Sequence, residues 1–217
     1  MIEDLTIGEQ VVLLALDEES GTLREAPLRV SLAVSAAALL ELTFTGHVMV
    51  RDGALVPART SAPAPTDPAA AAMAERMPSH PEETPRERLL AVREQALAAA
   101  YDGLSAKQLV RKEGRRVLGA FGSVRYPVTD LTALVALRER LASVLTQGRD
   151  PDERTAALIT VLHHAGLQPV MLPGSDAAVA ESRFAAIAEG QGPVAALGET
   201  VHNTVAALVA VLAASAL

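Results

Sequence analysis

A mainly helical, single-domain protein is what this sequence predicts, and three observations carry the prediction. Apolar residues recur at helical spacing in about seven segments, several of them opened by a side chain suited to cap a helix. Extended segments come only as two hairpins, with no strand–helix–strand alternation and no fixed-period repeat. Half the residues are hydrophobic, yet the chain has no Trp, two Tyr and three Phe. A core of Ala, Leu and Val favours closely packed helices with small residues at their contacts.

The 217 residues suffice for one generous domain, and the expected unit spans 1–217. Without cysteine, disulfides and thiolate metal sites are excluded. Nineteen basic residues face twenty-six acidic ones, for a formal net charge of -7. Of the bases only Lys107 and Lys112 are lysine, which with the Ala richness suggests a GC-rich, bacterial coding sequence. The acidic balance and the scarcity of stacking aromatics disfavour nucleic acid as a partner. The opening MIEDLTIGEQ lacks a basic region followed by an apolar run, so no signal peptide is read there. Val205–Leu217, the most apolar segment, falls short of the ~20 residues that cross a bilayer. The expectation is a soluble, cytoplasmic protein.

Thr6 and Glu9 form a capping-box pattern ahead of Val11, Val12, Leu14 and Ala15, a helix apolar on most sides and hence buried. Asp17–Gly21 ends it, and Thr22–Arg24 reads as a short strand. A second apolar helix is expected over Ser31–Phe44, with Glu41 its lone acid and Gly46 its stop. His47–Val50 and Leu55–Pro57 flank Asp52-Gly53, a pair suited to a tight turn that needs positive φ. The Pro/Ala-rich stretch 58–68 reads as a surface loop. A short helix over Ala69–Met77 and a polar loop to Pro85 lead into an amphipathic helix over Arg86–Tyr101, with Arg86, Arg88, Arg93 and Glu94 off its apolar face.

Leu109–Asp130 is the most distinctive stretch. Leu109 and Val110 begin it, Lys112–Arg115 reads as the turn, and Val117, Leu118, Ala120 and Phe121 as the returning strand. Arg111, Lys112, Arg115, Arg116 and Arg125 stand here against the single acid Glu113, in an otherwise anionic protein. A cationic hairpin with an apolar strand suits an anionic surface. Val117, Leu118 and Phe121 would add apolar contact if they face outward. A solvated hairpin packed on a helical core is the plainer alternative.

Asp130 caps the next expected helix, through Leu131, Leu134, Leu137, Leu141 and Leu145, with Arg138 and Arg140 on its outer face. Asp150–Thr155 opens another, its acids at the positive end, and Gly166 closes it after His163-His164. Ser175–Glu189 and a final helix to Leu217 complete the set.

Neighbouring histidines point about 100° apart on a helix, and no i+4 ligand completes a set, so no metal is expected. Gly190-Gln191-Gly192 lacks both the Lys-Ser/Thr of a phosphate loop and a preceding strand, and reads as a helix boundary. Glu41, in an apolar helix, reads as a perturbed acid or, more simply, as one that pairs with a nearby arginine or reaches solvent. Neither a nucleophile elbow nor a Ser–His–Asp set occurs, and no cofactor or enzymatic activity is expected.

Several stretches resemble one family. Leu5–Glu9 with the following VVLLALDEESG, and Ala37–Leu42 with Gly46, are similar to the opening of the Golgi phosphoprotein 3 family. Tyr126–Asp130 resembles that family's Pro-Val-Thr hairpin exit, Asp152–Leu158 its Asp-x-Arg-Thr-x-Ala-Leu helix, and Val205–Ala214 its apolar C-terminal helix. The resemblance implies a mainly helical domain that attaches peripherally to membranes by binding phosphatidylinositol 4-phosphate. It further implies a central hairpin that self-associates or inserts at the membrane surface. The family's headgroup site uses a Trp and several Arg. Here Ala26 falls at the Trp, Ser35 at one Arg, and Arg93 alone stands for an Arg pair. Two functions follow as expectations: a lipid-binding module docking on anionic phospholipid through the hairpin, with Arg93 contributing to a headgroup pocket, or a cytosolic scaffold on the same fold that forms homo-oligomers through the hairpin.

Overall fold

The computed structural model describes residues 2–51, 54–58, 63–114, 124–171, 177–188 and 190. Its first helix, α1 (Ile7–Ala15), starts where the sequence closes a reciprocal cap. Thr6 Oγ1 accepts the Glu9 N–H and the Glu9 carboxylate accepts the Thr6 N–H. Every residue of α1 is buried, so the helix forms the centre of the body, against α2, α4, α5 and α6.

Helix α2 (Pro27–Phe44) begins a turn earlier than expected, because Pro27 at the first helical position needs no N–H partner. It is long and apolar enough to cross a membrane, but 78% of it lies inside the protein. Burial of Val30 through Thr43 makes it the core's main wall. Gly46, at φ 71, turns the chain out of α2. Strands β1 (Val48–Arg51) and β2 (Ala54–Pro57) then pair antiparallel with Arg51 opposite Ala54, which leaves Asp52-Gly53 as the connection.

Asp67 caps α3 (Pro68–Arg76) by accepting the Ala69 N–H, and a single 3-10 turn, Met77–Ser79, follows. A second capping box, Thr84 with Glu87, opens α4 (Pro85–Ala106). This helix runs five residues past the expected Tyr101 end. Gly103 interrupts no apolar pattern there, and a Cβ on it would collide with the Glu9 carboxylate. Arg88, expected off the apolar face, is buried instead, its guanidinium donating to the carbonyls of His80 and Glu83.

Beyond a second antiparallel pair, β3 (Glu113–Gly114) and β4 (Val124–Arg125), come α5 (Leu131–Leu145), α6 (Glu153–His164) and α7 (Ala177–Ala188). Asp130 caps α5 as expected, and Asp152 caps α6. The expected strand at Thr22–Arg24 is a single bridge, Leu16 to Leu23. Among the described residues Phe184 is the only aromatic buried in the core, and the largest fully buried side chains are Leu, Ile and Met. The final helix expected to end at Leu217 lies outside the described residues.

Two buried carboxylates join the central helices. Glu41 on α2 accepts the Ile7 N–H at 3.0 Å and pairs with Arg154 of α6 at 2.5 Å. Glu9 on α1 takes both the Thr6 N–H and the Lys107 ammonium at the end of α4. Arg154 lies 5.7 Å from the centre of the Phe44 ring, a cation–π contact that further fixes its position.

Candidate functional site

The basic hairpin grows directly out of α4. Gln108, at φ 58, takes the left-handed conformation that ends the helix, and the Leu109 N–H closes back on the Leu104 carbonyl. Leu109 and Val110 are buried, so the stem begins inside the core. Val110 bridges Val128, the Arg111 N–H donates to Pro127 O at 3.0 Å, and the Thr129 N–H donates to Leu109 O at 2.9 Å.

A second grip comes from the turn after α1. The Tyr126 N–H donates to Gly21 O at 2.8 Å and the Val128 N–H to Glu18 O at 3.1 Å. Gly21 is required here twice over: it sits at φ 64, and a Cβ would fall on the Tyr126–Pro127 peptide. The Tyr126 ring stacks on Tyr101 of α4 with centroids 4.0 Å apart and planes 14° from parallel. Burial, and secondarily the neighbouring Tyr126, push the Tyr101 hydroxyl up to about 12. Both tyrosines of the chain thus serve to fix the hairpin to the body.

The register corrects the expected turn. Glu113 opposes Arg125 and Gly114 opposes Val124, so Glu113-Gly114 is strand and not turn. Gly in a Lys-Glu-Gly-Arg run looks like a turn locally, but pairing set by Val110 and Val128 in the stem overrides it. Arg115, Arg116, Val117, Leu118 and Phe121 lie outside the described residues.

Alternation along the strands divides the cations. Arg111, Glu113 and Arg125 share one face, with the Arg111 Nε donating to Glu113 at 3.0 Å. Lys112 lies on the other face with Val124 and Tyr126, where the stem overhangs the body. All three cations are exposed. Lys112 and Arg125 make no ion pair among the described residues. The acids nearest the stem are already engaged: Glu18 pairs with Arg138 at 2.7 Å and Arg24 at 3.8 Å, and Asp17 with Arg24 at 3.5 Å. Three cations and one acid therefore stand on the stem without neutralisation from the neighbouring turn.

Arg138 and Arg140 are not on the outer face of α5. Arg138 reaches Glu18, while Arg140 donates to the Gln10 side chain. Burial holds the Arg140 guanidinium below its usual range. Their partners are 120 and 130 residues away in sequence, beyond any local pattern.

Arg93 is not brought to the hairpin. Its guanidinium donates to the Leu90 carbonyl and to Glu94 on its own helix. Thirteen residues of α4 separate it from Ala106, about 20 Å along the axis. Ser35 is fully buried and donates to Leu32 O, and Ala26 is the uncapped, exposed N-cap of α2. The positions matched to a family headgroup site thus offer one cation, spent locally.

A cavity of about 30 Å³ lies where α1, α3 and α4 meet, lined by Thr6, Glu9, Asp67, Ala96, Ala100 and Gly103. It has room for one or two waters. Burial chiefly, with Glu41 and Glu9 adding repulsion, raises the Asp67 carboxyl above its usual range, against the Ala69 N–H bond that lowers it.

The Golgi phosphoprotein 3 (GPP34) family profile matches residues 7–216. The chain belongs to the Golgi phosphoprotein 3 family. No curated protein sequence matches it. The matched range spans α1, the hairpin and α7.

Proposed function

We propose that this member of the Golgi phosphoprotein 3 family is a non-enzymatic peripheral membrane module. It docks on acidic phospholipid at the cytoplasmic face of a membrane through the basic hairpin, with phosphatidylinositol 4-phosphate the headgroup to test first. One observation supports the reading above the others: exposed Arg111, Lys112 and Arg125 stand on a stem clamped to the body, while the nearby acids Asp17 and Glu18 are held by Arg24 and Arg138. Each cation near an anionic leaflet contributes about 1 kcal/mol. With Glu113 offsetting one of the three, the stem supplies about 2 kcal/mol, and Arg115 and Arg116 lie between the paired strands in the chain. The net charge of -7 does not prevent this. Charges beyond a Debye length of ~8 Å are screened at physiological salt.

Cosedimentation with phosphatidylcholine vesicles, alone or with phosphatidylserine or phosphatidylinositol 4-phosphate, tests the proposal across a salt series. Arg111→Ala, Lys112→Ala and Arg125→Ala together should weaken binding to anionic vesicles about a hundredfold. Equal binding to neutral vesicles, or no loss in the triple variant, would overturn it. A preference for the phosphoinositide at matched charge would define a headgroup pocket. Indifference would leave a surface-charge sensor. The second reading, a scaffold that self-associates through the hairpin, has Val124 in its favour, 48% exposed on a two-stranded ladder with open edges. A concentration-dependent mass in solution, lost on changing Val124 to Asp, would favour it.

A further inference from the structure

We propose that the first turns of α5 form a second, apolar contact with the same lipid surface, beside the hairpin. This inference rests on the docking reading above and adds a site to it. Among the described residues the large exposed hydrophobic side chains are Leu28 at 55%, and Val124, Leu131 and Val135 at 48% each. Three of these four fall within one short run of chain that leaves the hairpin. Val124 stands on β4, and Leu131 is the first residue of α5, directly after the capping Asp130.

Leu131 and Val135 are four residues apart and lie one above the other. At about 100° per residue their stripe is displaced by roughly a third of a turn from the buried stripe of Leu134, Leu137 and Leu141. They are therefore not the rim of the core-facing side. The fold leaves about half of each uncovered, and the Asp130 cap, accepting the Thr132 N–H, fixes the helix start without help from Leu131. Glu139, the next position along this stripe, is exposed. The apolar stretch thus ends about one turn beyond Val135, on the side away from the hairpin.

Charge decides what covers the patch. Val128, three residues before Leu131, pairs with Val110, and the Arg111 N–H is bonded to Pro127 O, so the stem that carries exposed Arg111, Lys112 and Arg125 leads directly into the aliphatic pair. Aliphatic side chains at the foot of a stem that carries three cations and one acid match a bilayer interface, where cations meet headgroups and short apolar chains enter the headgroup–acyl boundary by about 5–10 Å. Asp130 and Glu113 are the acids at this border. Asp130 is held below the usual carboxylate range by the Thr132 hydroxyl and N–H, and Glu113 is bonded to Arg111.

The chain has no Trp, so a single introduced indole reports without background. Leu131→Trp is the probe. Glu94→Trp, on a residue 85% exposed on α4 and remote from the stem, is the control. With phosphatidylcholine/phosphatidylserine vesicles, the indole at 131 should shift to the blue and be quenched by bromine-labelled lipid, while the indole at 94 stays unchanged. In parallel, Leu131→Ser with Val135→Ser should weaken vesicle binding about tenfold without lowering the melting temperature.

Binding abolished by the hairpin triple variant, but with an unmoved indole at 131 and full binding by the Ser pair, would overturn this inference and leave the docking proposal standing. No binding by the parent chain would overturn both. A blue shift that tracks protein concentration without vesicles would assign the patch to a second copy of the chain, and would also overturn it.

Discussion

Two arginine–glutamate pairs in this protein have the same length and opposite meanings. Arg154 meets Glu41 at 2.5 Å between α6 and α2, and Arg111 meets Glu113 at 2.5 Å on the hairpin. In the first the carboxylate side chain is 9% exposed and also accepts the Ile7 N–H. In the second the two side chains are 69% and 45% exposed. Distance alone would rank them equal. Burial separates them, because removing one partner of a buried pair leaves a group that water cannot reach, whereas a surface charge left alone is simply hydrated. The interior pair holds elements together. The surface pair sums to zero charge, and the stem's positive field comes from Lys112 and Arg125 beside it.

The sharpest way to break this comparison is Glu41→Ala. It removes the acceptor of the α1 N-terminal N–H and the partner of Arg154 together, and should cost about 2–3 kcal/mol in urea unfolding, mostly from the Ile7 N–H left buried without an acceptor. A loss below about 1 kcal/mol would mean that water reaches the Ile7 N–H as it reaches Arg154, itself 41% exposed, and the two pairs would then be of one kind.

The interior and the hairpin also differ in how far the sequence disclosed them. The caps at Thr6 and Asp130 were legible because each is a contact within three residues. The helical class and the family resemblance were legible for the related reason that local patterns survive in sequence. What escaped was long-range. Lys107 to Glu9 spans 98 positions and Arg138 to Glu18 spans 120, so α5 read as carrying its arginines outward when they turn inward. The hairpin was found, but its turn was misplaced, because the pairing is dictated by Val110 and Val128 in the stem and not by the glycine beside the charges. Nothing in the sequence marked Gly21 and Tyr101 as the hairpin's anchorage. Their roles exist only once the turn after α1 lies against Tyr126.

Asp67 offers a pH test of the interior side. Its carboxyl is raised in the folded protein, chiefly by burial, so the native state holds a proton that the unfolded chain has already released. Stability from this group therefore falls as pH rises from the ordinary value of 3.8 through the raised one, by at most about 1.4 kcal/mol per unit. Asp67→Asn keeps a cap for α3 and should be more stable than the parent at pH 7, with the difference shrinking as pH drops toward 4. A constant difference at all pH values would show that the burial penalty lies elsewhere.

Smaller again is the effect at the joint between the two regions. Gln108 is the one non-glycine residue at positive φ among those described. Its side chain is exposed, and its carbonyl accepts the Thr129 hydroxyl. Gln108→Gly keeps that carbonyl and relieves the left-handed strain, against a larger entropy loss on folding, for a net gain of about 0.5–1 kcal/mol. A loss of stability would mean that the Gln side chain itself steadies the stem.

The smallest stability effect is the most informative. Arg111→Ala together with Arg125→Ala should change the unfolding free energy by less than about 0.5 kcal/mol, since these groups are exposed and only one of them has an acid within reach. The same two changes should cost vesicle binding about 2 kcal/mol, or roughly thirtyfold. A residue that matters to the fold and one that matters to the surface are told apart by that split. Glu41 should fail the unfolding assay first. The hairpin pair should pass it and fail on lipid. If both arginines prove to stabilise the chain by more than about 1 kcal/mol, they belong with the interior group, and the positive stem is a structural brace whose exposure is incidental.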